Sequence, residues 1–270
     1  MITCQKYILF VFVFWACQNI SAQTHCKSMS YGESITYETY FKWGLIMPRA
    51  GDAVISFNKD YTVKGADSRY RLLFRSTRFF DSFYKMRDTL SCYYNADNQI
   101  VFGSKRTDEG NYYSVDELTF TRNGDSTSVH SYRYTPRRVK VDTVMSGKGY
   151  VTDMLGAFYY VRGFDMSKLH IGDVFPLTVA IGKDMIKVSL DFKKRETIEL
   201  GGYKFNTCYF HVNIYDDAFE STTTSAEVWI SDDKNAIPVR IRTKLKVGYA
   251  DVRYKESSGV AHEFNAVKGN

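Results

Sequence analysis

The sequence predicts a mainly β fold: a curved antiparallel sheet, or an open barrel or sandwich, with two short helices. Aromatic residues make up 16 % of the 270 residues (21 Tyr, 19 Phe and 3 Trp), which favours sheet over a helical bundle. Apolar and polar residues alternate with a period of two along most of the chain. Turn-forming pairs such as Asn123-Gly124 and Gly201-Gly202 separate the alternating runs, as in hairpins.

The alternating runs predict strands in both halves of the chain. They are clearest at 35–43, 53–57, 70–74, 175–192, 208–214 and 239–247. Parallel strands would need a helix between most consecutive runs, and the pattern does not provide these helices. We therefore expect antiparallel pairing, with Gly147–Tyr150 the best candidate for a boundary between two halves.

Two segments interrupt the period of two. Residues 76–90 place Phe79, Phe83, Met86 and Leu90 near one helical face. Residues 153–161 do the same with Met154, Ala157, Phe158 and Val161. We predict that both are helices that fill or cover an apolar opening of the curved sheet.

The N-terminus predicts export. Lys6 precedes an apolar run of ten residues, 7–16, and small residues follow at Ser21 and Ala22, which is the layout of a signal peptide. A helix of ten residues spans only ~15 Å, so no transmembrane span is expected. We predict a signal peptide at 1–22 and a single β-rich domain at 23–270, with its core at about 31–256, in the periplasm.

An alternative interpretation concerns the anchor. Cys17 ends the apolar run after Ala16, as the lipidated cysteine of a bacterial lipoprotein does. Phe14 and Trp15 are bulkier than the residues usual in such a signal. An outer-membrane lipoprotein anchored at Cys17 therefore stays the second possibility.

Three cysteines remain beyond the signal: Cys26, Cys92 and Cys208. An odd number allows at most one disulfide, and the sequence leaves open whether Cys92 pairs with Cys26 or Cys208. Cys208 occupies an apolar-facing strand position and is expected to be a buried thiol.

The charge balance is mildly basic, with 36 Lys and Arg against 30 Asp and Glu. The net charge of +6 is too diffuse for a nucleic-acid binder, so an anionic envelope surface is the more natural partner. One predicted strand nevertheless has a basic face, formed by Arg240, Arg242, Lys244 and Lys246, which Arg253 and Lys255 would extend. This stripe is either a solvated face or a contact for anionic lipid or polysaccharide.

Motifs for chemistry are missing from the sequence. It has no Gly-x-Ser-x-Gly elbow, and its five histidines lack metal-ligand spacing. We therefore predict no catalytic residues, no metal and no cofactor. Glu196, Glu199 and Glu227 leave a glycoside hydrolase open, if two of them face each other about 5–10 Å apart in a cleft.

Aromatic residues are the candidates for ligand binding. They either line a cavity between sheet and helices or form ordinary core, and they comprise Phe79, Phe80, Phe83, Phe158, Tyr159, Tyr160 and Trp229. We select Phe158, Tyr160, Arg162 and Trp229 as candidate ligand-binding residues. If Arg162 is buried, it needs a carboxylate partner, for which Glu196 or Glu227 is expected.

Several motifs in a fixed order resemble an exported bacterial family called domain of unknown function 3108. The matching segments are Tyr40-Phe41-Lys42-Trp43-Gly44, Ala50-Gly51-Asp52-Ala53, Phe158-Tyr159-Tyr160-Val161-Arg162, Gly172-Asp173, Arg195-Glu196, Glu227-Val228-Trp229-Ile230-Ser231-Asp232-Asp233 and Ile237-Pro238. The resemblance covers roughly residues 31–256. It implies a mostly-β, single-domain, exported protein of Gram-negative bacteria, and it implies no activity or catalytic residues.

Three functions follow as hypotheses. The first is a non-enzymatic carrier for an apolar or amphiphilic envelope ligand such as a lipid. The second is a structural or protein-interaction module of the envelope, and the third is an envelope hydrolase. An interior cavity of ~300 Å³ or more favours the carrier, whereas a filled core favours the interaction module.

Overall fold

The structure is a computed structural model that describes residues 28–42, 44–215, 223–245 and 248–268. The signal peptide at 1–22, the alternative anchor Cys17, Cys26 and Lys246 lie outside the described residues. The predictions that concern them stay predictions.

The described residues form sixteen strands, two α-helices and one turn of 3-10 helix. The strands are β1 (Glu33–Lys42), β2 (Arg49–Lys59), β3 (Ser68–Ser76), β4 (Arg87–Tyr94), β5 (Ile100–Glu109), β6 (Tyr112–Asn123), β7 (Ser126–Thr135), β8 (Arg138–Lys148), β9 (Val151–Thr152), β10 (Val174–Ile181), β11 (Asp184–Leu200), β12 (Tyr203–Tyr215), β13 (Thr223–Ser231), β14 (Pro238–Lys244), β15 (Tyr249–Ser258) and β16 (Val267–Lys268). The helices are α1 (Arg78–Asp81) and α2 (Gly156–Arg162), and the 3-10 turn is Met166–Lys168.

Fifteen of these strands form one sheet that nearly closes into a barrel, which confirms the predicted fold class. Their order is β8-β7-β6-β5-β4-β3-β2-β1-β15-β14-β13-β12-β11-β10-β9, and β16 pairs with β12. The pairing is antiparallel throughout, apart from the short parallel contact of β9 with β10. The chain thus begins in the middle of the sheet, winds out to one edge at β8, and returns from the other edge at β9.

The two sheet edges meet where β8 passes into β9, and we call this junction of β7–β8 with β10–β11 the seam. The Ser131 hydroxyl on β7 donates a hydrogen bond to the carbonyl of Gly182 in the β10–β11 turn. Gly147 on β8 lies so near β11 that a Cβ atom there would come within 2.7 Å of Met185 Cε. The predicted boundary at Gly147–Tyr150 therefore coincides with the point of barrel closure.

The first predicted helix, 76–90, is much shorter than expected. It is the single turn α1, in which Thr77 accepts a hydrogen bond from the Phe80 backbone N–H. Leu90 instead lies on β4, whose backbone pairs with β3 on one side and β5 on the other. Two partner strands satisfy the same backbone groups that a helix would pair internally, so the extended conformation prevails.

The second predicted helix, 153–161, is confirmed as α2, and it lies inside the barrel. The Tyr159 ring stacks on Tyr94 of β4 with centroids 3.9 Å apart, and it also contacts Phe57 and Tyr70. Val161 packs into a second apolar cluster formed chiefly by β10–β13. A short helix thus separates two apolar clusters in the barrel interior.

A buried ion pair fixes the end of α2. Arg162 is 1 % exposed, and its Nη1 and Nη2 donate to the two Glu33 carboxylate oxygens at 2.7 and 2.9 Å. Its remaining guanidinium donors reach the carbonyls of Asn235 and Ser28 at 2.6 and 2.7 Å. The expected partners Glu196 and Glu227 are wrong, because Glu196 accepts a hydrogen bond from Trp229 and Glu227 accepts one from Tyr209.

We predict that Arg162→Ala destabilises the protein by about 3–5 kcal/mol, because it leaves the Glu33 carboxylate buried without its cation. The free energy of unfolding from urea titration measures the effect. The double variant Arg162→Met with Glu33→Leu removes both charges and should recover most of the loss. An Arg162→Ala variant as stable as the wild type would contradict the assignment of this pair as the anchor of α2.

Candidate functional site

A large open cleft of about 1690 Å³ lies along the seam. It is bounded by the turns β4–β5 and β6–β7, the β8–β9 link, α2 and the first halves of β10 and β11. Its lining includes Asn98, Ile100, Arg122, Asp125, Ser146, Lys148, Tyr150, Val151, Tyr160, Lys168, His170, Asp173, Phe175, Leu177, Met185, Lys187, Val188 and Tyr215. The cleft is the candidate functional site.

Aromatic side chains form one wall of the cleft. Tyr150 and Tyr160 stack with centroids 4.2 Å apart, and Tyr160 meets the edge of Phe164 at 5.0 Å. Phe164 in turn stacks on Phe175 at 4.2 Å. Burial raises the pKa of Tyr160 to about 12, so its hydroxyl is neutral at physiological pH. The wall therefore offers flat apolar surface without charge.

Basic side chains predominate at the mouth of the cleft. Four cationic residues line it (Arg122, Lys148, Lys168 and Lys187), against two carboxylates (Asp125 and Asp173). Lys148 is exposed, and Lys168 pairs with Asp165 at 3.2 Å in a solvent-exposed contact. An uncharged aromatic wall beside a cationic mouth suits a ligand with an apolar part and an anionic group.

Of the four predicted ligand-binding residues, only Tyr160 lines this cleft. Phe158 packs against the first apolar cluster, on the β2–β4 side of α2, and Arg162 is bound to Glu33. Trp229 belongs to the first apolar cluster and does not line the cleft. The four side chains therefore do not converge on one site.

Two further expectations about aromatic residues need correction. Phe79 and Phe83 do not line a cavity, because they are 61 % and 74 % exposed on and beside α1. Sequence reasoning also missed Tyr150, Phe164 and Phe175 as neighbours of Tyr160. The one signal in the sequence was the position of Tyr150 at the predicted boundary; Phe164 and Phe175 follow Tyr160 closely in the chain but belong to no pattern that marked them.

A polar network also holds the Trp229 side chain. Its indole N–H donates to Glu196 Oε1 at 2.8 Å, and the guanidinium groups of Arg240 and Arg242 lie 5.3 and 5.8 Å from its ring. These contacts leave Trp229 only 7 % exposed. Glu227 accepts a hydrogen bond from the Tyr209 hydroxyl. Two of the three carboxylates of the hydrolase hypothesis, Glu196 and Glu227, are thus engaged in this network, and none of the three lines the cleft.

Neighbouring carboxylates neutralise part of the predicted basic stripe. Arg240 donates to both oxygens of the buried Asp251 at 2.8 and 2.6 Å, and Arg253 bonds to the same carboxylate at 3.1 Å. Arg242 lies 3.9 Å from Glu227. Lys244 is exposed at the end of β14. Arg240 and Arg242 are therefore paired with carboxylates of neighbouring strands, and contact of the stripe with an anionic surface stays a prediction.

The two cysteines among the described residues are free thiols, so a Cys92–Cys208 disulfide is absent. The Cys92 thiol donates to the buried carboxylate of Asp153 at 2.8 Å. Burial raises the pKa of both thiols, to about 12 for Cys208. Cys208 is buried as predicted.

Metal ligands do not cluster: the described ranges contain no group of three or more His, Cys, Asp or Glu side chains placed to hold an ion. Neither of the described helices has the length and apolar character needed to span a bilayer.

Comparison with protein families gives one decisive match. The model of the family "Protein of unknown function (DUF3108)" matches residues 36–254. The chain belongs to this family. The resemblance seen in the sequence is thereby confirmed. A search of the curated proteins found no significant match.

Solved structures include one with a similar fold. A β-barrel-like protein of the domain of unknown function DUF1849 from Brucella abortus has a TM-score of 0.57 at 10 % identity, over 84 % of this chain and 96 % of that one. An exported-type protein with a YmcC-like fold from Bacteroides fragilis scores 0.30 at 12 % identity, covering 85 % and 97 %. The lipoprotein LppX from Mycobacterium tuberculosis scores 0.21 at 12 % identity, covering 86 % and 88 %. Only the first score shows a shared fold.

We predict that Asp251→Asn destabilises the protein by about 3 kcal/mol at neutral pH, since it leaves two arginines without their shared carboxylate. Burial alone would raise the pKa of Asp251, but the hydrogen bonds from Arg240 and Arg253 outweigh it and lower the pKa below its ordinary value. The stabilisation is therefore complete above the unfolded-state pKa and is lost as pH falls through the lowered folded-state pKa.

Urea titrations of the wild type and Asp251→Asn between about pH 3 and pH 7 measure this dependence. The difference in unfolding free energy should shrink toward the acid end. A difference that grows as the pH falls would show that the carboxylate is not the stabilising partner.

Proposed function

We propose that the protein is a non-enzymatic carrier that binds an amphiphilic envelope ligand, such as a lipid, in the cleft along the seam. The observation that supports it most directly is the cleft itself. Its volume of about 1690 Å³ exceeds the ~300–1,000 Å³ of sites for small drug-sized ligands. This space is an open cleft along the seam, whereas α2 packs inside the barrel, so the proposal places the ligand at the seam and not in the barrel interior.

In this proposal the ligand's apolar part lies against Tyr150, Tyr160 and Phe175. Aromatic faces bind apolar chains through area and dispersion, without demanding a fixed hydrogen-bond pattern. The anionic group of the ligand meets the basic mouth, where Lys148 and Lys168 are available from solvent. The signal peptide proposed at 1–22 delivers the domain at 23–270 to the periplasm, with lipidation at Cys17 as the alternative.

Filling the cleft should abolish ligand binding. Ser146 is an exposed residue of β8 that lines the cleft, so Ser146→Trp adds an indole there at little cost to folding. The full chain is expressed with export in a Gram-negative bacterium, purified, and examined by native mass spectrometry and lipid extraction. The wild type should carry near-stoichiometric lipid, and Ser146→Trp should carry at most about a tenth as much.

Val144→Trp is the matched control, because Val144 is exposed two residues earlier on the same strand and does not line the cleft. It should retain lipid like the wild type. A wild-type protein that emerges without ligand, and that takes up none from envelope extract, would refute the carrier.

Removing positive charge from the mouth should weaken binding of an anionic amphiphile. We expect Lys148→Gln with Lys168→Gln to lower the affinity for a fluorescent anionic fatty acid about tenfold, because two exposed cations together supply roughly 1–2 kcal/mol. Fluorescence titration at low salt measures it. The control pair Lys64→Gln with Lys140→Gln removes the same charge from exposed positions outside the cleft. Equal losses of affinity in both double variants would indicate a general effect of net charge and would contradict binding of the anionic group at the mouth of the cleft.

A further inference from the structure

Exposed apolar side chains gather at one end of the barrel, away from the cleft. They occupy the turns β14–β15, β1–β2, β3–β4 and β5–β6, and we call them the apolar rim: Leu45, Ile46, Phe79, Phe83, Tyr112 and Leu245. Leu45 is fully exposed. None of these residues lines the cleft.

The turns that bear the apolar rim are adjacent. Alternate turns of an antiparallel sheet lie at the same end, about 10 Å apart. The Thr77 N–H beside α1 bonds to the carbonyl of Ala50 at 2.8 Å, joining the β3–β4 and β1–β2 turns. On its other side, Gly110 N–H bonds to the carbonyl of Lys85 at 2.8 Å, joining β3–β4 to β5–β6. The turns β1–β2, β3–β4 and β5–β6 are therefore joined side by side at this end of the barrel.

Positive charge accompanies the apolar rim. Arg78, Lys85 and Lys244 are exposed on the same turns, and none of the three forms an ion pair within the described part of the chain. Of the nearby carboxylates, Asp81 pairs with Arg87 at 2.5 Å and Glu109 accepts a hydrogen bond from the Tyr84 hydroxyl at 2.9 Å. Asp88 is buried, and Asp108 and Glu109 are half-buried. The exposed charged side chains on the described turns of this end are therefore cationic.

We propose that the apolar rim docks on an anionic phospholipid bilayer. Phe and Leu side chains enter the boundary between headgroups and acyl chains, while Arg78, Lys85 and Lys244 meet anionic headgroups. The apolar rim and the basic stripe are different surfaces, and Lys244 lies where they meet.

The shape of the apolar rim favours a bilayer over a protein partner. Its apolar groups stand on separate turn tips spaced by about 10 Å, with charged residues between them. A protein interface of high affinity needs a continuous, closely packed core patch. A fluid bilayer can instead take up each apolar side chain separately, and each one that leaves water contributes to binding. The anionic headgroups complement the exposed cations.

Vesicle flotation of the full chain tests the docking proposal. Vesicles are made of phosphatidylcholine alone or with roughly one third phosphatidylglycerol. The wild type should bind the anionic vesicles, and the bound fraction should fall as salt rises because screening weakens the headgroup attraction. The rim variant Leu45→Ser, Phe79→Ser, Phe83→Ser should lower the partition coefficient about tenfold or more.

The matched control is Tyr61→Ser, Ile171→Ser, Tyr203→Ser, which removes three equally exposed apolar side chains elsewhere and should bind like the wild type. The charge variant Arg78→Gln with Lys85→Gln should lose the preference for anionic vesicles. Circular dichroism and thermal melts establish that each variant is folded.

Three outcomes would overturn the proposal. They are no wild-type binding to anionic vesicles, equal losses in the rim and control variants, and rim-dependent capture of a soluble envelope protein without vesicle binding. Ser146→Trp, which fills the cleft, should float like the wild type, so docking and ligand carriage are tested independently.

Discussion

The buried pair of Arg162 and Glu33 is the constraint on which the rest of the molecule depends. It joins the end of α2 to the start of β1, and the same guanidinium bonds to the carbonyls of Ser28 and Asn235. A buried ion pair stabilises a protein little more than apolar side chains of the same size would, but separating its two charges is costly. Any position of α2 that parts Arg162 from Glu33 is therefore disfavoured. The position that keeps the pair together turns Tyr159 toward the first apolar cluster and Tyr160 toward the cleft.

The sheet was predictable because its cause is local. Alternation with a period of two survives in almost every strand, and the hairpin glycines Gly124, Gly201 and Gly202 adopt the positive φ angles that such turns require. The helix α2 was also predictable from its apolar spacing. The segment 76–90 misled because its apolar residues have a helical period, although β4 begins within it at Arg87. There the neighbouring strands β3 and β5 decide the outcome, and no local pattern contains them.

The candidate site was far less predictable, because it arises from contacts between distant segments. Glu33 and Arg162 are separated by 129 positions, and the seam joins β8 to strands that follow α2. Tyr160 was identifiable from its motif, whereas its partners Phe164 and Phe175 acquire their role only when the barrel closes. The basic stripe was misjudged for the same reason. Asp251 lies on the next strand, where it is opposite Arg242 and bonded to Arg240, so the sequence of β14 alone shows the positive charges without this carboxylate.

The position of α2 also restricts how a bound ligand exchanges. The cleft and the apolar rim share no residue, and between them the barrel interior is filled by α2, with Tyr159 stacked on Tyr94 and Arg162 bonded to Glu33. A ligand passing from the rim through the interior would have to separate that stack and that ion pair. Exchange through the open seam requires neither. If both proposals hold, the rim therefore orients the protein on a membrane, and the ligand enters and leaves along the barrel wall between β8 and β10.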